Sequence, residues 1–159
     1  NGNSVEEIKK QVDDVRSKAK QANRQVKVGV NAFIIARDTE EEAKAVLNDI
    51  IAHANVEAVN AFGDATREAG AAAPEREGNW AKSTFDDLVQ YNDGFKTNLI
   101  GTPQQIAERI VALKNVGVDL ILSGFLHFIE EVEYFGAKVL PLVRQLEQQQ
   151  EIQLEAKSA

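Results

Sequence analysis

An α/β fold, helix-rich and matching the C-terminal portion of a (βα)8 TIM barrel, is what these 159 residues predict, on three observations. Val26 to Ala36 begins by alternating and becomes continuously apolar, as a parallel strand does when both faces are covered. Thr102-Pro103-Gln104-Gln105 opens an amphipathic helix, with a threonine cap, proline at the first helical position and glutamine at the third. A short apolar strand, 118–123, follows and ends in Ser123-Gly124-Phe125, the order of a last βα stage in which loops at strand C-termini build the site.

Each element has a local cause. Ser4 and Glu7 form a capping box, and Val5, Ile8, Val12, Val15, Ala19 and Ala22 recur at three- and four-residue spacing behind it, the apolar stripe of a helix. After the strand at 26–36, Thr39 and Glu42 repeat the box before a helix through Ala43, Val46, Leu47, Ile50 and Ile51. Asn55 caps a further helix carrying Val56, Val59, Phe62 and Ala65. Gly70 to Gly78 turns to Ala, Pro, Glu and Gly, so 70–101 reads as a mobile, lid-like loop. Beyond Thr102 the stripe is Ile106, Ile110, Leu113 and Val116, and Gly117 stops the helix. A helix from Glu130 carries Val132, Tyr134 and Phe135, Pro141 lies within or between the last helical stretches, and 145–159 reads as a fraying polar tail.

Strand, helix and strand in alternation predict a parallel sheet rather than a bundle. Two strands cannot close a barrel of eight, which takes about 250 residues, so 1–159 reads as a single incomplete domain whose sheet is completed elsewhere or left open. The chain opens Asn1-Gly2-Asn3 and has no methionine, so it is expected to be processed or to belong to something longer.

Composition narrows the function. A hydrophobic fraction of 43% with 27% charged residues is that of a soluble globular domain, and no apolar run approaches a membrane span. The net charge of -7 argues against nucleic acid, since Lys9, Lys10, Lys18 and Lys20 are interspersed with acids. The absence of cysteine fits a cytoplasmic, reducing compartment. No phosphate-loop, dinucleotide, serine-hydrolase or zinc-protease motif occurs. The acid pairs Asp86-Asp87 and Glu130-Glu131 read as helix N-terminal charges, and no metal site is expected.

What remains is a set of candidates. Asn31 is the one uncharged polar side chain in its apolar stretch, either a core asparagine bonded to neighbouring strands or a donor aimed at a ligand, and Phe33 shares its face. Eight of the ten aromatics lie between Trp80 and Phe135, which suits either core packing or a pocket for a planar ring or small apolar substrate. Trp80 and Tyr91 are carried on the loop. His127 stands just past Phe125 at the mouth of the second strand, able to exchange protons near neutrality. His53 reads as a surface group near a helix end.

The stretches VKVGVNAFIIARDTEEEAKAVL (26–47), GNWAKSTFDDLVQYNDGFKTNLIGTPQQIAERI (78–110) and GVDLILSGFLHFIEEVEYFGAKVLPLV (117–143) resemble the C-terminal portion of the bacterial-luciferase-like, flavin-dependent monooxygenases, in the branch that oxidises alkanesulfonates and small sulfones. The resemblance implies a (βα)8 barrel that takes reduced FMN (FMNH2) from a partner flavin reductase and uses O2. For the intact protein, an oligomer, it implies conversion of dimethylsulfone to methanesulfinate and formaldehyde; the chain alone is expected to be inactive. The sulfonate enzymes carry arginine where this chain has Asn31 and histidine where it has Phe33, so a neutral sulfone is implied, with Asn31, Phe33 and Phe125 binding substrate. Phe125 stands where relatives carry tyrosine. The segment 79–100 is similar to their flavin-closing loop, which implies Trp80, Tyr91 and Asn92 as lid residues, and His127 is implied at the eighth strand's mouth. Two alternatives stay open: another small sulfur substrate such as an alkanesulfonate, and a non-catalytic, helix-rich binding or assembly protein.

Overall fold

The computed structural model describes residues 4–72, 83–91 and 94–158. Its elements, in order, are α1 (Val5–Gln21), β1 (Gly29–Phe33), β2 (Ile35–Ala36), α2 (Glu40–Ala52), α3 (Val56–Ala71), α4 (Phe85–Leu88), a 3-10 turn (Gly94–Thr97), β3 (Ile100–Gly101), α5 (Pro103–Asn115), β4 (Leu120–Gly124), α6 (Phe128–Tyr134), a π-helical turn (Phe135–Val139) and α7 (Leu140–Ser158). Among the described residues no helix is long and apolar enough to cross a membrane.

The capping signals act as the sequence predicts. Ser4 with Glu7, Thr39 with Glu42, and Thr102 with Gln105 each form reciprocal boxes, and the Asn55 side chain accepts from Ala58 N. These bonds satisfy the first orphan N–H groups of the helices, which is why short polar side chains there decide where helices begin.

The expected strand at 26–36 is divided. β1 pairs in parallel with β4, Gly29 opposite Leu120 through Phe33 opposite Gly124, while β2 pairs in parallel with β3. Ile34 N donates to Gly124 O, and Ile35 N donates to Leu99 O. Successive residues of a strand direct their backbone groups to opposite edges, so β4 and β3 flank the same central strand. The sequence missed β3 because two residues carry no period. The second strand runs 120–124 rather than 118–123, since Val118 N still closes onto Leu113 O at the end of α5.

Side chains alternate across this central strand and feed two cores. Ala32, Ile34 and Ala36 join Ile8, Val12, Ile106, Leu113 and Val139 under α1, α5 and α7. Ile35, with Phe33 against it, joins Ala43, Val59, Leu88 and Phe95 under α2, α3 and α4. Covering on both faces accounts for the unbroken Ala-Phe-Ile-Ile-Ala run. The architecture is therefore helix-rich α/β with a small parallel sheet between helical layers. These strands do not themselves form a cylinder; residues 100–101 and 120–124, consecutive strands, lie on either side of the central one rather than side by side.

Four other expectations change. The described part of 70–101 contributes to the core: Leu88, Val89, Phe95 and Leu99 are buried. The helix expected from Glu130 begins at Phe128. Residues 145–158 continue α7, held at first by Lys114 Nζ to Glu147 Oε1 (2.6 Å) and Asn115 Nδ2 to Gln150 Oε1 (3.2 Å). On α1 only Ile8 and Val12 of the predicted stripe are buried, because the helix then runs past the sheet, and Val15 is exposed. Its later half is tied by Arg16, whose Nη2 donates to Gly117 O (2.8 Å) and to Asp119.

Candidate active site

The central strand ends at Ala36 and delivers Arg37 and Asp38 to the C-terminal edge of the sheet. There β4 gives way to Phe125, Leu126 and His127, and α6 begins. A groove of about 770 Å³ lies between these segments and α2, lined by Arg37, Asp38, Glu42, His127, Glu130, Glu131 and Tyr134 among others.

Two long-range bonds, Arg37 to Glu131 and Tyr134 to Asp38, join residues that line it. Arg37 Nη2 donates to Glu131 Oε1 at 2.6 Å, and Arg37 Nη1 donates to Ala36 O at 2.7 Å. The Glu131 carboxylate also accepts, through Oε2, from Leu126 N (2.9 Å) and His127 N (3.2 Å). Three residues along α6, on the same helix face, Tyr134 Oη donates to Asp38 Oδ1 at 2.6 Å. Adjacent residues of the strand end thus hold one face of one helix.

His127 occupies the N-cap position of α6 (φ -111°, ψ 89°), and its ring makes no capping bond. Imidazole is not among the compact acceptors that serve there; Glu131, reaching back from the first turn, instead accepts from the Leu126 and His127 N–H groups that precede the helix. The ring is left exposed at the groove.

The other predicted residues are dispersed. Asn31 has an exposed side chain, lies opposite Leu122 in the β1–β4 register and does not line the groove, while its backbone oxygen accepts from the Thr97 hydroxyl. Phe33 is half-buried, edge-on to Phe95 with centroids 5.3 Å apart. Phe125 packs with the other core, against Phe128 at 6.4 Å and Phe135 at 5.9 Å. The two phenylalanines therefore serve opposite layers. Tyr91 sits in the left-handed region (φ 58°), edge-on to Phe62 of α3 at 5.3 Å. Trp80 and Asn92 lie outside the described residues.

Arg37, Asp38, Glu131 and Tyr134 escaped the sequence reading. The available signal is an Arg-Asp pair directly after a buried strand, followed by Glu and Tyr three apart on a helix; by sequence alone Glu131 is indistinguishable from an acid that complements the helix dipole.

Tyr134 gives a test of this geometry. Loss of solvation, then its bond to Asp38 and that carboxylate's charge, raise the phenol to about 12. A folded value above the unfolded one near 10 means that the stabilisation is intact below pH ~10 and is lost as pH rises towards ~12. Denaturation midpoints of the wild-type chain are expected to fall through that window, and Tyr134→Phe is expected to flatten the fall. Parallel curves for the two chains would refute the assignment.

A family model described as luciferase-like monooxygenase matches residues 1–120. The chain is 78% identical over 147 residues to a protein of Pseudomonas fluorescens (strain Pf0-1) named FMNH(2)-dependent dimethylsulfone monooxygenase, covering 92% of this chain and 40% of that protein. It is 76% identical over 149 residues to a Pseudomonas putida protein of the same name, covering 94% and 41%. The chain thus spans about two-fifths of the length of these curated relatives.

Proposed function

This chain belongs to the luciferase-like monooxygenase family, and from that premise we propose that it is the C-terminal portion of an FMNH2-dependent monooxygenase acting on dimethylsulfone. The identity of 76–78% across more than nine-tenths of the chain carries the reading. In the balanced reaction, dimethylsulfone, O2 and FMNH2 give methanesulfinate, formaldehyde, water and FMN.

The sheet chemistry supports a neutral substrate. β1 (Gly-Val-Asn-Ala-Phe) and β4 (Leu-Ile-Leu-Ser-Gly) carry no cation, and Asn31 is exposed beside Leu122. An anionic sulfonate in a dry site calls for a guanidinium partner, whereas a sulfone oxygen is served by an amide donor. In this reading Asn31 donates to the sulfone, Phe33 on the same face of the strand contributes apolar surface, and Phe125 on the opposite layer backs the strand mouth at which His127 holds or passes a proton. Trp80, Tyr91 and Asn92 belong to the lid that excludes water.

FMN itself fits the groove poorly at its phosphate end. Four carboxylates line it, and its one arginine is already bonded to Glu131. A dianionic phosphate needs cations or free N–H groups, so we assign phosphate binding to the part of the relatives that this chain does not cover. When bound, reduced FMN supplies the two electrons that O2 requires; no step at the flavin is assigned to residues of this chain.

The barrel reading is part of the same proposal. Leu120, Leu122, Phe128 and Ile129 are 62–68% exposed on β4 and the start of α6, an apolar face that further strands of a complete barrel would cover. We further propose that the intact enzyme is a cytoplasmic oligomer supplied by a flavin reductase. The full-length protein, given reductase, FMN and O2, is expected to release formaldehyde and methanesulfinate from dimethylsulfone, with methanesulfonate as the anionic comparison. No formaldehyde from the sulfone, or faster turnover of the sulfonate, would overturn the proposal.

A further inference from the structure

We propose that Glu131 is a positioning residue for His127 and that Arg37 is the cation that fixes Glu131 in that role. This deepens the reading of His127 above and rests on it. Both backbone polar groups of His127 go to the same residue: His127 N donates to Glu131 Oε2 at 3.2 Å, and His127 O accepts from Glu131 N at 3.0 Å. Leu126 N, one residue earlier, donates to the same carboxylate oxygen at 2.9 Å. The other oxygen is taken by Arg37 at 2.6 Å. One carboxylate, 11% exposed, therefore joins the end of the central strand, the β4–α6 loop and the first turn of α6.

An ordinary helix start does not need this arrangement. Aspartate or serine at the N-cap would satisfy the free N–H groups locally. Here the cap position is given to histidine, whose ring makes no cap bond and lines the groove, and the backbone N–H groups of Leu126 and His127 are held by a side chain that is itself fixed in a long-range ion pair. Charge-assisted bonds from three donors are stronger and more directional than neutral ones, so the histidine backbone, and with it the origin of the ring, is held against rotation. The Tyr134–Asp38 bond prevents α6 from turning about its own axis. Glu131→Gln keeps shape but offers one acceptor oxygen where the site presents donors on both sides.

The experiment has two arms. In the 159-residue chain, NMR reads the imidazole and amide of His127 against His53, the only other histidine. Glu131→Gln is expected to shift the His127 ring resonances and to speed its amide exchange about tenfold, with His53 unmoved. In the full-length enzyme, Glu131→Gln is expected to lower kcat about 10- to 100-fold with KM changed less than about twofold, because misplacement acts on the reacting geometry. Ile8→Val, a core change remote from the groove, serves as the control for stability loss alone. Arg37→Lys, retaining charge without the planar fork, is expected to fall between wild type and Glu131→Gln in both arms. Unmoved His127 signals in Glu131→Gln, or a kcat loss no larger than that of a control with equal loss of Tm, would overturn the inference. If the wild-type enzyme fails to turn over the sulfone, the functional reading falls and the NMR arm decides this one by itself.

Discussion

Leu113→Ala is expected to destabilise the chain by about 3 kcal/mol, within the range of ~2 to 5 for deleting a buried leucine. Leu113 has no exposed surface and stands in the core beneath α1, α5 and α7. Truncation removes the transfer energy of its branched end and leaves a cavity that the surrounding helices only partly fill. For a chain of this size that corresponds to a fall in Tm of roughly 6 to 12 °C. Leu122→Ala is the informative comparison: that side chain is 68% exposed, and its replacement is expected to stay within about 0.5 kcal/mol. Urea denaturation of the two variants reads the difference, and equal losses would mean that β4 is covered on a face the structure leaves open.

Arg37→Ala is the second large effect. The guanidinium is 26% exposed and the Glu131 carboxylate 11%, so removing the cation strands a mostly buried charge. Breaking a fully buried pair costs about 3 to 5 kcal/mol; with this degree of solvent access we expect about 2 kcal/mol. The double variant Arg37→Ala with Glu131→Ala is expected to lose less than the sum of the two single ones, since it leaves no orphan charge. A coupling energy near zero in that cycle would show that the two side chains act independently.

Much of the fold was legible because its causes are local. Three of the reciprocal boxes, at Ser4, Thr39 and Thr102, were legible because the bonding partners lie three residues apart. Gly117 ended its helix as expected, at φ +98°, where an added Cβ would lie 3.0 Å from Val12 Cγ1. The apolar run at 33–36 implied two covered faces, and two cores meet it.

The site was read less completely. His127 stands at the strand mouth where the sequence put it, yet Phe33 and Phe125 enter different layers, a division that periodicity cannot express. Glu131 looked like any acid in a first helical turn. Its partner is 94 residues away, and Asp38 and Tyr134 are separated by 96.

By itself, then, the sequence determined where the capped helices α1, α2, α3 and α5 begin and which strand would be buried on both sides, because bonds over three or four residues and side-chain alternation are properties of the local backbone. Only the tertiary structure decided which leucines are covered, which phenylalanine joins which core, and that Arg37 and Asp38 clasp α6 beneath His127. Those outcomes depend on which distant segments meet, and packing of the whole chain selects among pairings that local chemistry leaves equivalent.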